Sequence, residues 1–127
     1  MPRENKNSEK RTDKRFDVEL PLKIGGTDFK FVTATKNISS SGIYCNADRF
    51  IPVMTKLWLN LTIPLIENNR KIEKNLNCQA VVVRIQPESK IETVKVYQLG
   101  LFFVDIKDKD RQVINHYLQH AFFAGNN

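Results

Sequence analysis

The chain has 127 residues, 41% of them hydrophobic, enough to build one core and too few for two ordinary domains. Its formal charge is +6, and half of that excess falls in the first sixteen residues, where Arg3, Lys6, Lys10, Arg11, Lys14 and Arg15 outnumber Glu4, Glu9 and Asp13, a bias that points to an anionic partner. Cys45 and Cys78, with no Cys-x-x-Cys spacing, exclude a disulfide framework and a zinc site. The N-terminus has no apolar signal-peptide core, and the apolar cluster near 99–104 is too short to span a bilayer, so a cytoplasmic protein without membrane insertion is expected.

Residues 1–15 are polar, basic and without apolar periodicity, which predicts a flexible arm, ordered only when something neutralises it, ahead of a folded unit over 16–124. Val18, Leu20, Leu22 and Ile24 then alternate with polar residues, a strand with one buried face, and Pro21 predicts an edge or a bulge there. Gly25-Gly26 can take the positive φ of a tight hairpin turn, after which Phe29, Phe31 and Thr33 resume the alternation into Asn37. Ile43-Tyr44-Cys45 forms a short third strand, followed by a turn-rich stretch to Pro52. In the fourth, Leu57, Leu59, Leu61 and Ile63 share one face.

A polar connection is expected over 67–75, then strands over 76–86 and 94–104 separated by Pro87-Glu-Ser-Lys. Both strands become apolar on two faces, in Ala80-Val-Val-Val83 and Leu101-Phe-Phe-Val104, so a cover is expected over their outer side. The last segment, 108–122, supplies it: Val113, Ile114, Tyr117, Leu118, Ala121 and Phe122 form one helical stripe, and Asp108 and Asp110 suit the positive end of the helix dipole. The predicted class is mainly β, a small six-stranded antiparallel barrel with a C-terminal α-helix packed outside.

Two polar motifs stand at opposite ends of the first hairpin, Arg11-Thr-Asp-Lys-Arg15 and Asn37-Ile-Ser39-Ser-Ser-Gly42. Alone, the first reads as an ordinary solvated basic segment, and the second reads equally as an ordinary polar turn or a ligand contact. Their pairing resembles the PilZ domain family, from about Lys10 to the C-terminal helix, with Cys78-Gln-Ala-Val-Val-Val-Arg84 and Gln98-Leu-Gly100-Leu-Phe-Phe103 similar to the family's final strands. The resemblance implies a six-stranded barrel that binds the bacterial second messenger cyclic di-GMP and passes the signal to a downstream protein. Cyclic di-GMP is then a ligand, and no cofactor is implied.

The ligand's chemistry suits these residues. Guanine presents O6 and N7 to the fixed fork of an arginine, and its flat face can stack on the guanidinium, so Arg11 and Arg15 fit a base reader and a phosphate clamp in either assignment. Asn37 and Ser39, two apart, share one face of an extended strand end, where their side-chain oxygens can accept from guanine N1–H and N2–H. Gly42 suits a turn with positive φ or a close approach of backbone to ligand. The resemblance also implies that the position just before the first motif arginine influences whether one nucleotide or a stacked pair is held; Lys10 there offers charge without a plane, which favours one nucleotide per chain.

Other candidates fare worse. His116 and His120 have a metal-binding i, i+4 spacing but lie off the apolar stripe without a third ligand, so a solvated helix face accounts for them and no metal is expected. Trp58 falls on the polar face of the fourth strand; packing under the helix is its commonest fate, a partner surface or a stacked base the others. No phosphate loop and no nucleophile with a base recommend an enzyme. Two alternatives to a cyclic di-GMP receptor are a protein-interaction adaptor of the same fold that binds no nucleotide, and a small-barrel binder of single-stranded nucleic acid, which a sequence pI of 9.4 would also suit.

Overall fold

The alternating segments close on themselves. In the computed structural model the described residues are 14–126, with side chains to His120, and six strands form an antiparallel barrel in the order β1-β2-β3-β6-β5-β4. These are β1 (Pro21–Gly25), β2 (Lys30–Ile38), β3 (Gly42–Ala47), β4 (Lys56–Glu67), β5 (Arg70–Gln86) and β6 (Tyr97–Asp105), followed by helix α1 (Asp108–Asn126). Inward residues such as Leu22, Ile24, Ile43, Leu61, Val82 and Leu99 fill the interior with almost no exposure, as expected when each strand contributes every second side chain to one core. Of the expected basic arm, Lys10 and Arg11 lie outside the described residues, as does most of the 1–15 segment.

Several expectations change. Closure leaves no edge for Pro21, which stands instead as the first residue of β1, where its missing N–H is tolerated. No described glycine has positive φ, so the turn after Gly25 is not the tight glycine hairpin; residues 26–29 form a wider loop, closed by Gly26 N–H donating to the Phe29 carbonyl at 2.9 Å. The polar connection expected over 67–75 is largely strand. Pairing runs without interruption from Lys56↔Val81 to Glu67↔Arg70, and the turn is only Asn68-Asn69, with φ of 52° and 62°. Asparagine tolerates the left-handed region, and two such residues give the hairpin turn whose twist matches its strands. The polar residues beyond it bond across the ladder, Thr62 Oγ1 to Asn75 Oδ1 and Asn60 Nδ2 to Asn77 Oδ1, both at 2.8 Å.

The helix does not cover the outer side of β5 and β6, where Val83 (54%), Phe102 (48%) and Val104 (47%) remain exposed. Its stripe instead sends Ile114 and Leu118 into the barrel core, with Val113 and Tyr117 packed beside them, while Arg111 Nη1 donates to the Ser40 carbonyl of the β2–β3 turn. Trp58 is therefore not under the helix; it is 54% exposed on the wall of β4. Far along β2 from that turn, the Arg49 guanidinium lies 4.9 Å from the Phe29 ring centroid and 5.1 Å from that of Phe31. Among the described residues no helix is long and apolar enough to cross a membrane.

Gly42 begins β3 where β3 and β6 come very close, and a Cβ there would lie 2.0 Å from the Leu101 carbonyl oxygen. Gly42→Ala should therefore destabilise the fold by about 2 to 3 kcal/mol, lowering the thermal midpoint by roughly 6 to 12 °C. Gly25→Ala is the control, because the nearest atom to its added Cβ is Lys30 Cγ at 3.9 Å. Circular dichroism melts giving equal midpoints for the two variants would contradict the close-approach account.

Cys45 and Cys78 are free and buried, and loss of hydration pushes their thiols up from about 9 to about 12 and about 11, with Asp110 and Asp105 adding to the shift at Cys78. Both should resist a disulfide reagent at pH 8 in the folded protein. The unfolded chain ionises these thiols first, so their contribution to stability is whole below about pH 9 and is lost as pH rises toward 11 to 12. Urea midpoints at pH 8 and pH 10 read this directly: the higher pH should give the lower midpoint, and Cys45→Ala should reduce the difference.

Candidate functional site

The end of β2 is shaped by a break in its own alternation. Thr35 pairs with Cys45 but Asn37 pairs with Tyr44, so the strand carries one extra residue, Lys36, at a β-bulge. Without it, Asn37 would follow Thr35 into the core; with it, Ile38 is the residue buried and Asn37 faces outward.

The chain entering β1 is tied to the same strand. The buried Thr35 hydroxyl donates to the Val18 carbonyl at 2.6 Å and accepts from the Leu20 amide at 2.9 Å. Phe16 and Ile38 exchange backbone hydrogen bonds of 2.9 and 3.0 Å, and Lys14 Nζ lies 5.7 Å from the Phe16 ring centroid. Arg15, next to this anchor, is thereby held over the bulge. Its Nε donates to Asn37 Oδ1 at 2.5 Å, and its Nη1 reaches Ser39 Oγ at 3.4 Å, a much weaker contact. The two motifs thus meet through the second arginine of one and the two polar residues of the other.

Ser39 is not open to solvent. It is fully buried, its Oγ accepts from the Ser41 amide at 3.2 Å and lies 3.1 Å from Ser41 Oγ, so in this state the hydroxyl organises its own turn beneath Arg15. That turn is clamped further by Ser39 N–H to the Gly42 carbonyl and Phe103 N–H to the Ser41 carbonyl, both at 2.9 Å, and by Arg111 at Ser40. Gly42 lacks the positive φ expected of it, and the close approach that excludes a side chain there is to the backbone of β6.

Two residues that sequence reasoning passed over stand in line with Asn37. Across the sheet, Asn37 pairs with Tyr44, Tyr44 with Gly100 and Gly100 with Arg84, one outward row over four strands. Gly100 lets Arg84 and Tyr44 close over it: an added Cβ would lie 3.2 Å from Arg84 Cβ, tighter than ordinary contact, and 3.7 Å from Tyr44 Cδ1. Arg84 reaches this row by the same device as Asn37, a register shift between Val82 and Arg84 that turns it out while Ile85 turns in. The surface so assembled offers a planar cation, an amide oxygen, a phenol ring and a second guanidinium along one row, groups suited to a flat, hydrogen-bonding anion.

Other sites hold less chemistry. A cleft of about 910 Å³ lies between the tip of the β4–β5 hairpin and α1, lined by Leu65, Ile66, Ile72, Tyr117 and the exposed His116 and His120, whose rings are 4.1 Å apart. Among the described residues no group of three His, Cys, Asp or Glu is placed to hold a metal ion.

Comparison with known proteins places this geometry. Residues 9–120 match the PilZ domain family model. Among solved structures, the chain is similar to the inhibitor of motility MotI/DgrA of Bacillus subtilis, with a TM-score of 0.64 and 23% identity over 89% of this chain and 50% of that one. It is also similar to the PilZ domain of CeSA from a cellulose synthesizing bacterium, with a TM-score of 0.55 and 10% identity over 85% of this chain and 98% of that one. The chain spans half the length of MotI/DgrA, and no curated protein matches it. With its closed antiparallel barrel and a family match over most of its length, the chain belongs to the PilZ domain family, regulatory binding domains that are generally receptors for cyclic di-GMP.

Proposed function

We propose that this chain is a cyclic di-GMP receptor in which Arg15 exchanges an internal partner for the nucleotide. The observation that carries this reading is the hydrogen bond from Arg15 Nε to Asn37 Oδ1. That oxygen is the acceptor a guanine N1–H or N2–H would seek, so a base arriving at Asn37 displaces Arg15. The freed guanidinium then meets guanine O6 and N7 or a phosphodiester oxygen, and Ser39 beneath it is uncovered. Arg11 and Lys10 of the preceding segment complete the clamp, and Tyr44 and Arg84 extend it.

The same contacts supply a route for the signal. Ser39 and Ser41 are bonded to each other, Ser41 to β6 through Phe103, and Ser40 to the helix through Arg111. Removing Arg15 from this turn changes the forces on both elements, which present the altered surface to a downstream protein. Binding and relay are the whole of the chemistry, without catalysis. The soluble, cytoplasmic setting expected from the sequence suits a diffusible second messenger.

Arg11→Ala and Arg15→Ala should each weaken cyclic di-GMP binding by about 1.5 to 3 kcal/mol, the scale of a charge-assisted hydrogen bond, with the fold intact. Isothermal titration measures this; unchanged affinity in both variants rejects the clamp. Absence of binding by the unmodified chain hands the site to the nucleotide-free adaptor reading. Trypsin should cut after Lys10, Arg11 and Arg15 more slowly at saturating cyclic di-GMP than without it, and equal rates would mean the arm is not recruited. The unmodified chain should bind one nucleotide and Lys10→Arg should move the ratio toward two, because a guanidinium stacks on an added guanine where an ammonium cannot. Two per unmodified chain, or an unchanged ratio in the variant, counts against that role for Lys10.

A further inference from the structure

On the wall formed by β2, β1 and β4, away from Arg15, the outward side chains are those of Lys30, Val32 and Ala34, of Pro21 and Lys23, and of Lys56, Trp58, Asn60 and Thr62. None is a carboxylate, and among the described residues none of the three lysines is in a salt bridge. Between them lies an exposed apolar surface, with Trp58 54% and Val32 73% accessible. Gly25 pairs with Trp58 and contributes no side chain, although a Cβ there would meet nothing nearer than 3.9 Å. Packing does not require the glycine, and its consequence is a hollow of about 380 Å³ against the indole, bordered by Lys23, Lys30, Phe31, Val32 and Asn60.

We propose that this hollow docks an acidic segment of a partner protein, a bulky apolar side chain seated beside Trp58 and its carboxylates facing Lys23 and Lys30. An aromatic anchor set in a small apolar depression is what concentrates binding energy in protein interfaces, and lysines around it reward negative charge in the partner. The barrel is closed, so the partner cannot add as a strand and must bind through side chains. A single-stranded nucleic acid suits the wall less well. It calls for successive stacking rings, whereas Trp58 is the only exposed ring here, and Asn60 and Asn77, which could read a base edge, are bonded to each other. This surface goes beyond the nucleotide reading and does not rest on it.

Trp58 is the chain's only tryptophan, so its emission reports on this wall alone. Titration with a synthetic peptide alternating Asp and Glu with Leu and Phe should give a saturable blue shift, weakening as salt is raised. Lys23→Glu combined with Lys30→Glu should raise the apparent Kd roughly tenfold or more, through repulsion where there was attraction. Gly25→Val should do the same by filling the hollow, with circular dichroism confirming that it folds. Lys90→Glu, a charge reversal on an exposed loop elsewhere, should leave the Kd unchanged. No saturable shift, an equal response to a peptide with Lys replacing the acids, or insensitivity to the Lys23 and Lys30 changes would overturn the proposal. Tighter binding of oligo-dT than of the acidic peptide would also overturn it, assigning the wall to nucleic acid.

Discussion

Thr35 and Ile38 both point into the barrel although three positions separate them, and the extra residue between them reverses the facing of Asn37. In a strand with one buried face such a slip is tolerated only if the residues beyond it still place an apolar side chain in the core, which Ile38 does. The bulge therefore costs little in packing while moving an amide from the interior to the surface. Thr35 itself uses its hydroxyl to hold the incoming chain, and that chain carries Arg15 to the amide the bulge has turned out. The same arrangement recurs at Val82 and Ile85, where a second slip turns Arg84 outward along the row that begins at Asn37.

Most of the fold is legible in the sequence because alternation of apolar residues states directly which face is buried. The strands, the Val113–Leu118 stripe and the solvated histidines follow from periodicity. What escapes it has identifiable causes. The β4–β5 hairpin was hidden because Asn, Lys and Glu over 67–75 look like a loop by composition, whereas Asn68-Asn69 is itself a hairpin signal and the asparagines beyond it bond across the ladder. Double-faced apolar runs in β5 and β6 suggested a covering helix. Composition cannot tell a covered outer face from an exposed one, and α1 instead places Ile114 and Leu118 in the core. At the site, the sequence set Asn37 and Ser39 close together, and Arg15 reaches both. The burial of Ser39 and the true neighbour of Gly42 were not legible, because both depend on the long-range pairing of β3 with β6. Arg84 could have been found by asking where the core parity breaks, since a spacing of three in place of two marks its bulge, whereas Tyr44 lies in a strand whose alternation is unbroken.

The proposed receptor and the proposed docking wall occupy different parts of the barrel and obey different physics. At the site, Arg15 already has a partner, so the proposed nucleotide binding would be an exchange, its net free energy the difference between two sets of charge-assisted hydrogen bonds. On the wall, nothing described competes for the lysines or the indole, so a partner there would gain directly from desolvation and charge pairing. A single small barrel can in this way receive a small anion at one place and present a surface to a protein at another.

The central claim is that cyclic di-GMP takes Asn37 from Arg15. Nuclear magnetic resonance of the arginine Nε–H groups, assigned through Arg15→Lys, follows that bond directly. On titration with cyclic di-GMP the Arg15 Nε–H resonance should move away from its free position and saturate together with the binding isotherm. Saturating ligand that leaves this resonance in place while occupying the protein would contradict the exchange.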